Sequence, residues 1–387
     1  MSYRTINTVN TKVFSPGTLP VGRLEHLVRA ATDAQNTSIH WANYIAAMGH
    51  GFPNEGEFRL FPLVAHHLGD IDSVEAQVWL REASAWAKAQ SVRTLAAQAY
   101  VTPLLQQRDC TVIWTKGTAL AQRLYPDPAL RPSGDLDAIC HWNDLPPLLA
   151  LAKDQAWPLK VGQRVLKPHH RYLSKELSWQ LPSGINIDVC WKPRLPFAFD
   201  PFLIDHLRAQ AKRQPSCASF ADPNWLLLET IEHGLTANRV AAIRWVVDAI
   251  RLIDQQDDAL DWDLIIAIAR RYRLQTMMHF GLSVVTPFTT ALPAHVLPTL
   301  ARHAEGALAV DEIETRGKLR VSRQGYTVSR HYTLVQRAPD ALYRRFAPSP
   351  FARLAGVPWR LRLALATRGL RLGLRAVLLR RETKSGV

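Results

Sequence analysis

The stretch that most constrains the fold is residues 112–140, VIWTKGTALAQRLYPDPALRPSGDLDAIC. The apolar run Val112-Ile113-Trp114 reads as a strand, Lys116-Gly117-Thr118 as a small-residue turn opening a short helix, and Asp135-Leu136-Asp137 as the start of a second strand. Two acids one residue apart on a strand share a face. Carboxylates held that close repel unless a cation or a shared proton neutralises them. Mg²⁺ does so with one or two protein carboxylates, filling its other positions with water and substrate phosphate. Asp135 and Asp137 therefore read as a Mg²⁺ platform. Gly117 leaves the backbone open to close approach, and the amides of the following helix would face an anion such as a triphosphate. Taken alone, such an acid pair also occurs in ordinary turns and caps.

The order Lys116-Gly117-Thr118, then Tyr125-Pro-Asp-Pro, then Arg131-Pro-Ser-Gly-Asp-Leu-Asp resembles the uncharacterised nucleotidyltransferase family of the polymerase-beta-like nucleotidyltransferase superfamily. The resemblance implies a Gly-Ser-type turn, a helix, a strand with Asp-x-Asp, and a third carboxylate on a later strand. Here the turn is Gly117-Thr118, keeping a hydroxyl but not serine. The third acid would be Asp188 in INIDVCW, residues 185–191, where alternation sets Ile185, Ile187 and Val189 on one face and Asp188 on the other. Relatives with a histidine-bearing segment differ there from Asp-Val-Cys-Trp. The implied activity is transfer of a nucleoside monophosphate from an NTP to a hydroxyl with release of pyrophosphate. Asp135, Asp137 and Asp188 would hold two Mg²⁺ ions, while Lys116, Gly117, Thr118 and Arg131 would hold phosphates. The acceptor is left open among an RNA end, a protein and a small molecule. Two rival readings stand beside this one: a non-catalytic nucleotide-binding scaffold on the same fold, and an RNA- or membrane-associated module acting through its tail.

The expected fold is α+β, a nucleotidyltransferase-type mixed sheet core flanked by N-terminal and C-terminal helical domains. Residues 1–108 form the helical N-terminal region, 109–200 the α/β core, 201–340 the C-terminal helical domain and 341–387 a basic amphipathic tail. Leu24, Leu27, Val28 and Ala31 recur at helical spacing, as do Leu60, Leu63, Val64 and Leu68, and residues 74–100 favour helix. His66 and His67, adjacent on a helix, read as structural. In the core, 146–152 reads as a short helix, and 172–179 and 185–191 as a hairpin turning at Leu181-Pro-Ser-Gly184, which would bring Asp188 beside the acid pair. His170 and Arg171 are candidate phosphate contacts. Farther on, His233, Arg244 and Asp248 are candidate site contacts, Arg244 and Asp248 being spaced as an i,i+4 ion pair.

The net charge of +14 is concentrated at the end: residues 341–387 carry eleven Lys/Arg against one acid, so ten of the positive charges lie there. In 352–381, Trp359, Leu363, Leu370, Leu374 and Val377 line one helical side and Arg368, Arg371 and Arg375 another, a pattern suited to packing, RNA phosphate or an anionic membrane. Cys110, Cys140, Cys190 and Cys217 show no zinc-type spacing. No stretch of 18 apolar residues and no signal-type leader is evident, so the expected compartment is cytoplasmic.

Overall fold

A computed structural model of the chain describes residues 19–69, 74–162, 165–166, 176–191, 219–235, 243–256, 259–271 and 274–302. His169, His170, Arg171, Cys217, residues 1–18 and the basic stretch 341–387 lie outside the described residues.

The chain opens on α1 (Arg23–Thr32), α2 (Thr37–Met48), the single turn α3 (Glu55–Phe58) and α4 (Phe61–Leu68), followed by the long α5 (Val74–Gln107). Leu24, Leu27, Val28 and Ala31 are all buried, as the 3.6-residue period requires. Asn54 and Glu57 form a reciprocal capping box on α3. Buried Glu57 also accepts from Tyr44 Oη at 2.9 Å and Arg23 Nη2 at 2.8 Å. His67 packs on α1 with Nδ1 3.4 Å from the Ala30 carbonyl, in keeping with a structural role.

A six-stranded mixed sheet follows, in the order β3-β4-β5-β2-β1-β6. Its strands are β1 (Val112–Trp114), β2 (Asp135–Cys140), β3 (Leu159–Val161), β4 (Glu176–Gln180), β5 (Asn186–Cys190) and β6 (Ser219–Phe220). Helix α6 (Lys116–Leu124) connects β1 to β2, and α7 (Leu145–Asp154) connects β2 to β3. The β4–β5 hairpin turns at Leu181-Pro-Ser-Gly184: Leu181 N–H donates to the Ile185 carbonyl at 2.8 Å, and Gly184 has φ 81. Strand β5 then runs antiparallel to β4 and parallel to β2.

The pleat sorts the side chains of this sheet. Leu136, Ala138 and Cys140 of β2, Ile187 and Val189 of β5, and Leu177 and Trp179 of β4 point into one apolar core with Ala97, Val101 and Leu105 of α5 and Leu148 and Leu151 of α7. The opposite face carries Asp135, Asp137, Asn186, Asp188 and Ser178.

Beyond the sheet, α8 (Pro223–Leu235), α9 (Arg244–Gln255), α10 (Trp262–Arg271), α11 (Gln275–Val285) and α12 (Val296–Arg302) complete the described chain. They share one core with α1–α4, α6 and the first half of α5, so the helices before and after the sheet meet in common packing. Helix α5 belongs to both cores, Leu80 and Ala83 at one end and Ala97 to Leu105 at the other. Among the described residues no helix is long and apolar enough to cross a membrane, and Cys110, Cys140 and Cys190 are buried.

Candidate functional site

The parallel β2–β5 register sets Asp137 directly against Asp188 and Asp135 against Asn186. Three acids separated in sequence thus share one sheet face. Burial raises the Asp188 pKa and the Asp137 carboxylate adds to it, while Ser178, facing it from β4, works the other way. Asp188 Oδ1 and Asn186 Oδ1 are buried without a hydrogen-bond partner. The charge of Asp137, reinforced by burial and by Asp188, pushes Asp135 up to about 6. Among the described residues no three acid, histidine or cysteine groups close to metal-ligating distance.

Asp137, only 7% exposed, is met by Lys116 Nζ at 2.6 Å from Oδ1. Burial alone would depress the lysine pKa, but the Asp137 carboxylate overrides it and holds the ammonium charged. Lys116 has φ 45, left-handed backbone that a non-glycine residue adopts at a cost and that tends to occur at functional sites.

Behind Lys116 the turn is closely packed. A β-carbon at Gly117 would collide with Ser133 Oγ and come within 3.1 Å of Arg131 Nη1, so glycine is required here for space rather than for its backbone angles. Thr118 is buried and directs its hydroxyl to the Asp135 carbonyl at 3.4 Å.

Arg131 lies beneath the site at 6% exposed. Its Nε and Nη2 grip Asp248 of α9 at 3.0 and 2.8 Å, and Tyr125 Oη donates to the same carboxylate at 2.8 Å. Arg131 Nη1 is buried without a partner. Asp248 therefore pairs across the fold rather than with Arg244 one turn away. Arg244, lowered to about 9 by burial and by the nearby Arg131 charge, donates to the Pro132 carbonyl at 2.6 Å. From α5, Thr94 Oγ1 and Gln90 Nε2 donate to the Ser133 carbonyl at 2.8 and 3.2 Å. The Arg131-Pro-Ser lead-in is thereby clamped between α5 and α9, which fixes where β2 starts and where its acids point. His233 is partly buried on α8.

One site neighbour escaped the sequence reading. Glu229 of α8 is 9% exposed, accepts a hydrogen bond from the Thr115 hydroxyl, and lies in the fields of Lys116 and Asp137. Burial, the largest influence, pushes its carboxyl up to about 7. The available signal was an acid inside the apolar run Trp225-Leu-Leu-Leu-Glu229-Thr-Ile231, since buried carboxylates need a partner.

Residues 57–289, well over half of the chain, match the family described as uncharacterised nucleotidyltransferase. The chain belongs to that family. The match runs from α3 to just past α11 and so takes in the whole sheet, the Lys116-Gly117 turn and the α8–α9 layer. No curated protein and no solved structure matches the chain significantly. Nucleotidyl transfer is the chemistry this nucleotidyltransferase shares with its family, and its described fold is the α+β arrangement expected from the sequence.

Proposed function

We propose that the protein transfers a nucleoside monophosphate from an NTP to an acceptor hydroxyl, on an RNA end, a protein or a small molecule, with release of pyrophosphate. The observation carrying this reading is the direct register pairing of Asp137 with Asp188, with Asp135 on the same face two residues along. The donor set, carboxylate oxygens alone, is of the kind a hard divalent cation takes. Asp188 Oδ1 is buried with no partner, and the repulsion that raises Asp135 is what a bound cation would relieve. Asp135, Asp137 and Asp188 would hold Mg²⁺, two ions on the superfamily pattern. Mg²⁺ so held supplies charge neutralisation and lowers the pKa of a ligated hydroxyl.

The chain's own residues do the rest. Lys116 and the backbone amides of Gly117 and Thr118, at the N-terminal end of α6, orient the β- and γ-phosphates. Arg131, fixed by Asp248, braces this turn from behind. The acceptor oxygen forms a bond to the α-phosphorus as the bond to the bridging oxygen breaks, and that electron pair leaves with pyrophosphate. Asp188 takes the hydroxyl proton. Chemistry of this type depends more on positioning and electrostatics than on covalent catalysis.

The test is incubation with α-³²P-labelled NTPs, Mg²⁺ and cell extract. The wild type is expected to label an acceptor and Asp135→Ala to leave it unlabelled. Equal labelling by the two proteins, or none by either, overturns the reading.

A further inference from the structure

We propose that Lys116 is a resident counter-ion that a divalent cation must displace from Asp137, and that Glu229 receives the displaced ammonium. The inference rests on the metal reading above and deepens it, giving Lys116 two positions and Glu229 a task.

The first observation is geometric. Lys116 Nζ sits 2.6 Å from Asp137 Oδ1, on a carboxylate the metal reading requires. A divalent ion taking Asp137 through Oδ1 competes with the ammonium for that oxygen, because like charges that close repel. Binding a metal through Oδ1 therefore includes moving Lys116, whose flexible stem of four carbons allows it.

The second observation supplies the destination. Glu229 comes from a different layer, on a helix whose neighbouring Leu226, Leu227, Leu228 and Ile231 are buried. It reaches the residue before Lys116 through the Thr115 hydroxyl and lies in the electrostatic fields of Lys116, Asp137 and Glu232. An acid kept among apolar side chains costs stability unless a partner offsets it. A lysine that swings away from Asp137 provides that partner and stays beside the turn, where it can meet phosphate. Glu229 is thus a positioning residue, and the order of assembly is metal first, nucleotide phosphates second.

The test uses the full-length protein, with free Mn²⁺ measured by electron paramagnetic resonance in nucleotide-free titrations. Lys116→Met is expected to tighten Mn²⁺ binding by about tenfold, the effect of removing a competing close charge. Glu229→Gln is expected to weaken it several-fold with Lys116 present and to have no effect in the Lys116→Met background, while Glu229→Asp restores binding in part. Lys116→Asn, a residue that tolerates left-handed backbone, serves if the methionine variant does not fold. Unchanged or weaker binding in both Lys116 variants, or a Glu229→Gln effect that persists without Lys116, overturns the inference, while loss of binding in Asp137→Asn keeps the metal reading intact. Failure of wild type and Lys116→Met alike to bind Mn²⁺ sinks both.

Discussion

Asp137 and Asp188 stand opposite one another in the parallel β2–β5 register, although the helix α7 and two further strands lie between them in the chain. Their approach is enforced by the apolar residues that alternate with them, Leu136 and Ala138 against Ile187 and Val189, which bind the other sheet face to α5 and α7. The core thus sets the spacing of the acids, and the acids bear the repulsion.

That repulsion makes Asp135→Asn a stabilising substitution. The Asp135 carboxyl is pushed up to about 6, chiefly by Asp137, so the neutral amide should add on the order of 2 kcal/mol at pH 8 without divalent cations. The same variant should lose at least about a hundredfold in nucleotidyl transfer. Urea denaturation in chelator and a transfer assay measure the two effects.

Stability should also fall as pH rises. Asp135 at about 6 and Glu229 at about 7 are both raised above their unfolded values, so the folded state binds more protons than the unfolded one between about pH 4 and 7. The stability of the protonated forms is present at the acid end and lost as pH climbs through those values, by up to about 3 kcal/mol per group. Denaturation midpoints taken every half unit without metal should trace this decline, and Glu229→Gln should flatten its upper part.

The buried pair of Arg131 and Asp248 should behave as a unit. Asp248→Ala strands a guanidinium that is 6% exposed and should cost about 3–5 kcal/mol. The double variant Arg131→Met with Asp248→Leu should cost less than the sum of the single changes. Tyr125→Phe removes one hydrogen bond to the same carboxylate and should cost about 1–2 kcal/mol. Equilibrium unfolding of the wild type, Asp248→Ala, Tyr125→Phe, the double variant and its two single changes tests this.

Gly117→Ala should cost about 1–3 kcal/mol and most of the activity, because its methyl group would occupy the place of Ser133 Oγ. Adding Ser133→Gly should recover stability, since the collision is with that side chain. Thermal melts and transfer rates of the single and double variants decide it.

Much of the arrangement was legible because it rests on local rules. The strand-turn-helix-strand order around Lys116-Gly117 and Asp-x-Asp, the hairpin at Leu181-Pro-Ser-Gly184, and the face carrying Asp188 follow from periodicity and turn chemistry. The long-range partnerships did not. Arg244 and Asp248 read as an i,i+4 pair, yet Asp248 binds Arg131 and Arg244 caps the Pro132 carbonyl, because helix α9 turns that face toward the lead-in loop. Glu229, one turn before His233, is not marked by spacing, which cannot say which helix lies against the Thr115-Lys116 corner. Arg131, expected among the phosphate contacts, is placed beneath the turn by the same cross-layer pair.

Helix α5 joins the apolar interior at Leu80 and Ala83 to the one at Ala97, Val101 and Leu105. A single residue inserted between those groups would swing one set about 100° around the helix relative to the other, tearing either the amino-terminal helices or the acid-bearing sheet from its bed. Length changes along this rod can therefore be accepted only in near-whole turns, which makes it a ruler that sets the spacing of the two interiors.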